Sequence, residues 1–203
     1  MYKIFKILLI VGIMCSGSTT LNAQFNEPSN PWIIGFGVNL INDSVERGTG
    51  LFDFRERYHY HRPFSLSVEK KFSPFVGLNL NLNNNRFLEG KIINNQILQE
   101  DIKFFAVDLG LRLYFSNLWE NPYRTSYELF GTGGVGSSRY DSDGNGHIFA
   151  GPGLNIYLSN NWWLQGQGLA KLALQKTGNA SNYLQFNIGV VYKFLDNERC
   201  GCY

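Results

Sequence analysis

The feature that most constrains the fold of this chain is an alternation of apolar and polar residues that recurs in eight stretches. In the clearest stretch, about 99–116, Phe105 and Leu109 share one face while Asp108 and Arg112 share the other. A period of two is the signature of a β-strand whose two faces have different surroundings. The sequence therefore predicts strands at about 31–41, 63–72, 75–88, 99–116, 125–137, 146–158, 162–174 and 182–194. A bulge is expected in the sixth strand at Pro152, since proline removes a ladder donor.

The composition of the polar faces indicates which face meets lipid. These faces hold mostly Gly, Ser, Asn and Gln, and charged residues make up only 17% of the chain. A membrane barrel turns its apolar side chains outward and fills its interior with polar and small ones. A soluble lipocalin-like carrier in the periplasm would reverse the two faces, and period two alone does not separate these alternatives. The scarcity of Lys and Glu favours the membrane barrel.

The connections between the strands also fit a membrane barrel. Polar loops are predicted at 42–62, 89–98, 138–145 and 175–181, and shorter links alternate with them. Outer-membrane barrels have long extracellular loops, short periplasmic turns and aromatic residues at the interfaces. The residues predicted to form the periplasmic girdle are Trp32, Phe72, Phe115, Trp162, Trp163 and Phe194. The predicted fold is therefore all-β, an eight-stranded antiparallel up-and-down transmembrane barrel.

The N-terminus carries the pattern of a secretory signal peptide. Lys3 and Lys6 precede nine apolar residues, and a small polar stretch ends at Ala23. We expect cleavage between Ala23 and Gln24, a barrel over 24–194 and a short periplasmic tail over 195–203. Removing two of the 18 basic residues leaves as many as the 16 acidic ones, so the mature chain is neutral. No basic excess points to nucleic acid.

Four segments, NPWIIGFGVNLIND, ELFGTGGVG, GPGLNIYLSNNWWLQ and YLQFNIGVVYKF, resemble the N-terminal barrel of OmpA-family proteins from Bacteroidetes-type bacteria. The resemblance covers about residues 29–194. It implies an eight-stranded barrel in the outer membrane of a Gram-negative bacterium. In that family a peptidoglycan-binding domain often follows the barrel. This sequence continues into LDNERCGCY instead, so we expect no such domain and no peptidoglycan anchoring.

Charged residues on the inward faces are the main candidate functional group. They are Glu69, Asp108, Arg112, Glu128, Lys171 and Lys193. Lys71 is also predicted to point inward, although Lys71 and Lys193 could lie at a rim in water. Arg112 and Glu128 flank the turn near residue 120 and are expected to face each other. Buried charges must pair, because desolvation is costly. We therefore predict an ion-paired plug, which Arg112→Ala would open, in a narrow or gated pore.

Weaker motifs point to no catalytic residue, metal or cofactor. His59 and His61 share a side of an extended segment but lack a third ligand. His147 has no serine at a spacing that suits a lipid-modifying enzyme. Cys200 and Cys202 lie in the tail and suggest no single role. We expect a non-enzymatic structural or interaction protein. Its predicted partners are outer-membrane lipid, the barrel-assembly machinery during insertion and an extracellular molecule bound by loop 42–62.

Overall fold

The structure is a computed structural model that describes residues 30–42, 58–93, 96–122, 125–141, 143–159, 161–175 and 182–194. The predicted signal peptide with its Ala23–Gln24 cleavage site, most of loop 42–62 and the tail with Cys200 and Cys202 lie outside the described residues. Within the described ranges, no helix has the length and apolar character needed to cross a bilayer.

Eight long strands form one closed antiparallel sheet. With three two-residue strands, the described strands in chain order are β1 (Trp32–Asn42), β2 (Tyr58–His59), β3 (His61–Lys71), β4 (Val76–Phe87), β5 (Ile92–Ile93), β6 (Gln96–Ile97), β7 (Ile102–Tyr114), β8 (Tyr127–Tyr140), β9 (Asp143–Tyr157), β10 (Trp162–Ala173) and β11 (Tyr183–Lys193). Around the barrel the order is β1, β3, β4, β7, β8, β9, β10 and β11. Strand β11 pairs with β1 from Ile33↔Lys193 to Asn42↔Leu184, which closes the sheet. The predicted eight-stranded antiparallel barrel is thus confirmed.

The two faces of the wall differ in polarity as the alternation predicts. In β7 the outward Leu109 and Leu111 are 45% and 54% exposed, whereas the inward Asp108 and Arg112 are 0% and 1% exposed. Successive side chains of a strand point to opposite faces, so this difference repeats along each long strand. The apolar surface lies outside and the polar surface inside.

Two predicted loops contain more regular structure than expected. The segment 138–145 is not a loop, because β8 continues to Tyr140 and β9 begins at Asp143. Pairing of Tyr140 with Asp143 makes this connection a tight hairpin. The segment 89–98 carries the short β5–β6 hairpin, and a 3₁₀ helix at Ser116–Leu118 follows β7. The polar composition of these segments predicted loops. The strands nevertheless continue into them, because residues beyond the apolar band still pair through their backbones.

The predicted bulge at Pro152 is wrong. The β9–β10 register is the same at Gln167↔Gly153 and at Ala170↔Ala150, with an interruption of the pairing between them. Pro152 has no backbone N–H to donate, and it lies within this interruption of the pairing. The register shifts instead between His61 and Phe64, where β3 meets β4 and Arg62 has a φ of 57°.

The two ends of the barrel carry different sets of residues. The terminal rim bears Trp32 and Phe194, and the loop rim bears Phe87 and Tyr140. Five of the six predicted girdle residues lie outward at the terminal rim with 44–54% exposure, namely Trp32, Phe72, Phe115, Trp162 and Phe194. Trp163 is only 2% exposed and points inward, so its place in the girdle was wrong. Adjacent residues of one strand cannot share a face, and Trp162 already occupies the outer one.

Candidate functional site: the barrel interior

Glu128 is the centre of a buried charge cluster near the terminal rim. Its Oε1 lies 3.1 Å from Nζ of Lys71, and its Oε2 lies 2.7 Å from Nζ of Lys193. Lys71 stands on β3 and Lys193 on β11, each three strands from β8, so both ion pairs cross the lumen. The Lys193 ammonium also lies 3.7 Å from the centre of the Trp163 ring. The inward Trp163 therefore helps to hold this cation.

Glu69 and Arg112 form a second ion pair at the same end. Arg112 donates from a terminal guanidinium nitrogen to Oε2 of Glu69 over 2.7 Å. Tyr114 donates its hydroxyl to Oε1 of the same carboxylate over 2.6 Å. The guanidinium carbon lies 4.2 Å from the centre of the Phe130 ring, which covers one of its faces. Both oxygens of Glu69 are thus satisfied, as a buried carboxylate requires.

Asp108 organises a third group, nearer the loop rim. Its Oδ2 accepts from Nζ of Lys171 over 2.6 Å and from the Asn83 amide over 3.1 Å. Its Oδ1 lies 2.7 Å from Nε2 of His147. Gly136 stands between Asp108 and His147 in the sheet, paired with both. A Cβ at Gly136 would lie 2.5 Å from the carboxylate and 2.6 Å from the imidazole, so the glycine provides the space for this contact.

A layer of neutral polar side chains lies between these charge clusters. Gln167 donates to Thr132 over 3.0 Å, and Gln165 donates to Asn155 over 2.9 Å. Asn81 donates to Asn79. A cavity of about 20 Å³ opens among Ser65, Ser67, Asn81, Gln165 and Asn187. A space of that size holds about one water molecule.

Apolar and aromatic side chains close the interior at the loop rim. This apolar cap consists of Ile41, Phe87, Leu98, Ile102, Phe104, Ala106, Tyr140 and Tyr183. The rings of Phe104 and Tyr183 meet edge to face with centroids 5.7 Å apart. Strands β7 and β11 are four strands apart in a ring of eight, so these rings come from opposite walls. Side chains from opposite walls are therefore in contact at this level.

The buried charges are held by direct pairing. Four cationic and three anionic side chains, Lys71, Arg112, Lys171, Lys193, Glu69, Asp108 and Glu128, are at most 6% exposed. An unpaired ion in such surroundings costs several kcal/mol, and a close partner repays this cost. Each of the seven has an oppositely charged partner within 3.1 Å. The ion pairs join strands that are two or three positions apart around the barrel.

The structure assigns different partners to two residues than the sequence suggested. Arg112 does not face Glu128: it is opposite Thr132 in the sheet and pairs with Glu69, while Glu128 is opposite Asn155. The partners of Arg112 and Glu128 come from β3 and β11, and the alternation within a strand does not show which strands approach across the lumen. The rim placement considered for Lys71 and Lys193 is also wrong, because they are 6% and 4% exposed.

Sequence reasoning missed two members of the interior, His147 and Tyr114. Their position in the alternation identifies them, since Tyr114 has the parity of Arg112 and His147 that of Phe149. The aromatic members of the cap also have inward parity, but their apolar character made them resemble outward residues.

A metal site has no support in the described part of the chain. His59 is 1% exposed, whereas the side chain of His61 lies at the surface. The two histidines do not share a side as predicted, because β2 ends at His59 and β3 begins at His61. Among the described residues, no group of three His, Cys, Asp or Glu side chains is placed to hold a metal ion.

Comparisons with solved structures identify the architecture. The outer membrane protein OprG from Pseudomonas aeruginosa matches with a TM-score of 0.56 and 14% identity, over 83% of this chain and 97% of that one. The N-terminal β-barrel domain of Pseudomonas aeruginosa OprF matches with a TM-score of 0.52 and 13% identity, over 83% and 100%. Neisserial surface protein A matches with a TM-score of 0.51 and 9% identity, over 82% and 97%. No family model and no curated protein matches the sequence.

The class that follows is the eight-stranded outer-membrane type of β-barrel. At 9–14% identity these likenesses define the fold alone. They carry no information on the three charge clusters, the polar layer or the apolar cap.

Proposed function

We propose that this protein is an outer-membrane barrel of structural or interaction type with a sealed interior. The observation that carries the proposal is the inverted polarity of the wall. Large apolar side chains such as Leu111, 54% exposed, cover the outside, while seven charged side chains are buried within. In water such a surface would aggregate, whereas lipid accepts it. From Phe105 to Phe115 the outward band of β7 has the length of a transmembrane strand, about 9–11 residues.

The test combines fractionation with a heat-dependent gel shift. The mature protein should partition with outer membranes and migrate faster when unheated than after boiling, since the barrel resists detergent. The soluble-carrier alternative makes the opposite prediction. A protein that stays monomeric in plain buffer, with Leu109 and Leu111 shielded from water, would overturn the membrane location and the roles built on it.

The sealed interior favours a structural or interaction role over a pore. The charge clusters and the cap lie one above another along the barrel axis, so a solute would have to displace all of them. Support for the alternative of a gated pore comes from the polar lining between the closures. Single-channel recording decides between them: a sealed barrel should give no conductance steps.

The position of His147 supports a non-enzymatic role. A lipid-modifying enzyme needs its histidine beside the acyl chains outside the barrel, whereas His147 is 1% exposed and bound to Asp108 inside. Incubation with lipid A should therefore release no fatty acid. Release of acyl chains by the purified protein would overturn this part of the proposal.

A further inference from the structure

A row of basic side chains crosses the outer face of the barrel at the loop rim. His61, Arg86 and Lys103 lie on the neighbouring strands β3, β4 and β7, and Arg86 is directly opposite each of the other two. Arg139 on β8 stands opposite Phe105, two residues from Lys103, and also points outward. Three neighbouring strands thus carry basic residues at one level, and Arg139 lies one step below it, at the level of Phe105.

Among the described residues, Arg86 is the member of the row for which an ion pair is found, and that pair is long and partly exposed. Asp101 approaches Arg86 at 3.7 Å, with both side chains partly exposed. The other oxygen of Asp101 accepts from the backbone N–H of Glu89. The Asp141 carboxylate accepts from the backbone N–H of Lys103, and its carbonyl accepts from Arg139. Directly opposed like charges weaken a sheet, so a bound anion would relieve the row.

The level of the row is that of a lipid headgroup. Phe64 and Phe105, 50% and 45% exposed, both stand opposite Asn84 one step below the row. They form the edge of the outward apolar band at this rim. At the terminal rim the corresponding positions carry the aromatic residues Trp32 and Phe115. Aromatic side chains thus border the apolar band at both rims, and the row of basic residues on neighbouring strands lies at the loop rim.

We propose that the basic row of His61, Arg86, Lys103 and Arg139 binds the phosphate groups of a phosphorylated glycolipid in the outer leaflet. The inference rests on the proposed membrane location and adds a ligand to it. Arginine and lysine are the side chains that recognise phosphate, and the two arginines and the lysine of the row, with His61 beside Arg86, would span two phosphates of one headgroup. The acyl chains would then lie against Phe64, Phe105 and the outward leucines.

The experiment measures how much bis-phosphorylated lipid A stays with the folded protein. Protein extracted from phosphatidylcholine vesicles containing lipid A is purified in detergent, and the bound lipid is counted by mass spectrometry. Arg86→Gln and Lys103→Gln should each lower retention about fivefold, and the double variant more than tenfold. Lys70→Gln is the matched control, because Lys70 stands on β3 at the opposite rim, above Trp32. It should retain lipid A like the wild type.

Further arms separate phosphate recognition from general attraction. Lys103→Arg should keep the retention that Lys103→Gln loses, and dephosphorylated lipid A should bind no variant well. Equal retention by wild type and double variant, an equal loss in Lys70→Gln, or equal binding of dephosphorylated lipid would each overturn the inference. A barrel that shows the heat-dependent shift but retains no lipid A overturns this inference alone. A chain that does not insert overturns the proposed function as well.

Discussion

Glu128 is the residue on which the terminal charge cluster depends, because one carboxylate serves two buried ammonium groups. Glu128→Gln would leave Lys71 and Lys193 without their anion. The expected loss in the free energy of unfolding is about 3–5 kcal/mol, the range for breaking a buried pair. Urea titration of the protein folded into vesicles measures it.

Asp101→Asn is the control for this prediction. It removes a partly exposed pair with Arg86 at 3.7 Å. Pairs of that kind contribute about 0–1 kcal/mol. Equal losses in the two variants would mean that water reaches Glu128 and that the cluster is not buried.

Gly136 is the residue that makes room for the contact of Asp108 with His147. Its Cβ in Gly136→Ala would also lie 2.6 Å from the backbone carbonyl of Val107, which cannot rotate away. We expect a loss of about 1–3 kcal/mol, as for other overpacked sites. Gly144→Ala in β9 meets nothing within 4 Å and should change stability by less than about 0.5 kcal/mol. A neutral Gly136→Ala would show that the backbone shifts freely there.

At the scale of the element, a lysine substitution on the outward face of β7 tests whether this strand lies in a membrane or in water. Leu111 lies on its outward face near the middle of the apolar band. Leu111→Lys should destabilise the folded barrel in a bilayer by about 2–4 kcal/mol, whereas a rim substitution costs about 0–1 kcal/mol. Ser126→Lys, at an exposed residue just before β8 at the terminal rim, is the rim control. Refolding into vesicles at graded urea concentrations gives both values.

A lack of destabilisation by Leu111→Lys would be equally informative. If the outward face were in water, Leu111→Lys would improve solubility and leave stability unchanged within about 0.5 kcal/mol. That result would favour the soluble carrier and remove the basis for the membrane location.

At the scale of the whole molecule, the charge clusters and the apolar cap together determine whether the interior conducts ions. A plug made of ion pairs alone predicts that Arg112→Ala opens the barrel. The apolar cap adds a barrier beyond it, in which Phe104 is fully buried and contacts Tyr183 from the opposite wall. We therefore expect Arg112→Ala and Phe104→Ala each to remain at baseline in planar bilayers. Their combination should give measurable conductance.

The four proteins of this cycle must be compared as folded barrels, with the heat-dependent gel shift as the check. Conductance in Arg112→Ala alone would mean that the cap opens spontaneously and that the ion pairs are the gate. If the folded double variant gave no conductance, the Asp108 cluster, which lies between Arg112 and Phe104, would be the part that blocks the interior.

The sequence by itself determined the eight long strands of the barrel and the face on which most of their side chains lie. These follow from period two, which is a local property of an extended backbone and is written in the order of residues. Parity places Asp108 and Arg112 inward and Leu109 outward without knowledge of any other strand. It also corrects the one girdle residue that was misplaced, since Trp163 follows Trp162.

Only the tertiary structure decided which side chains meet inside. Lys71 and Glu128 belong to strands three apart, and Phe104 and Tyr183 to opposite walls, so their contacts depend on the closure of the barrel and on its register. The alternation contains neither quantity. For this reason the inward charges could be named from the sequence, whereas their partners, the apolar cap and the basic row at the loop rim could not.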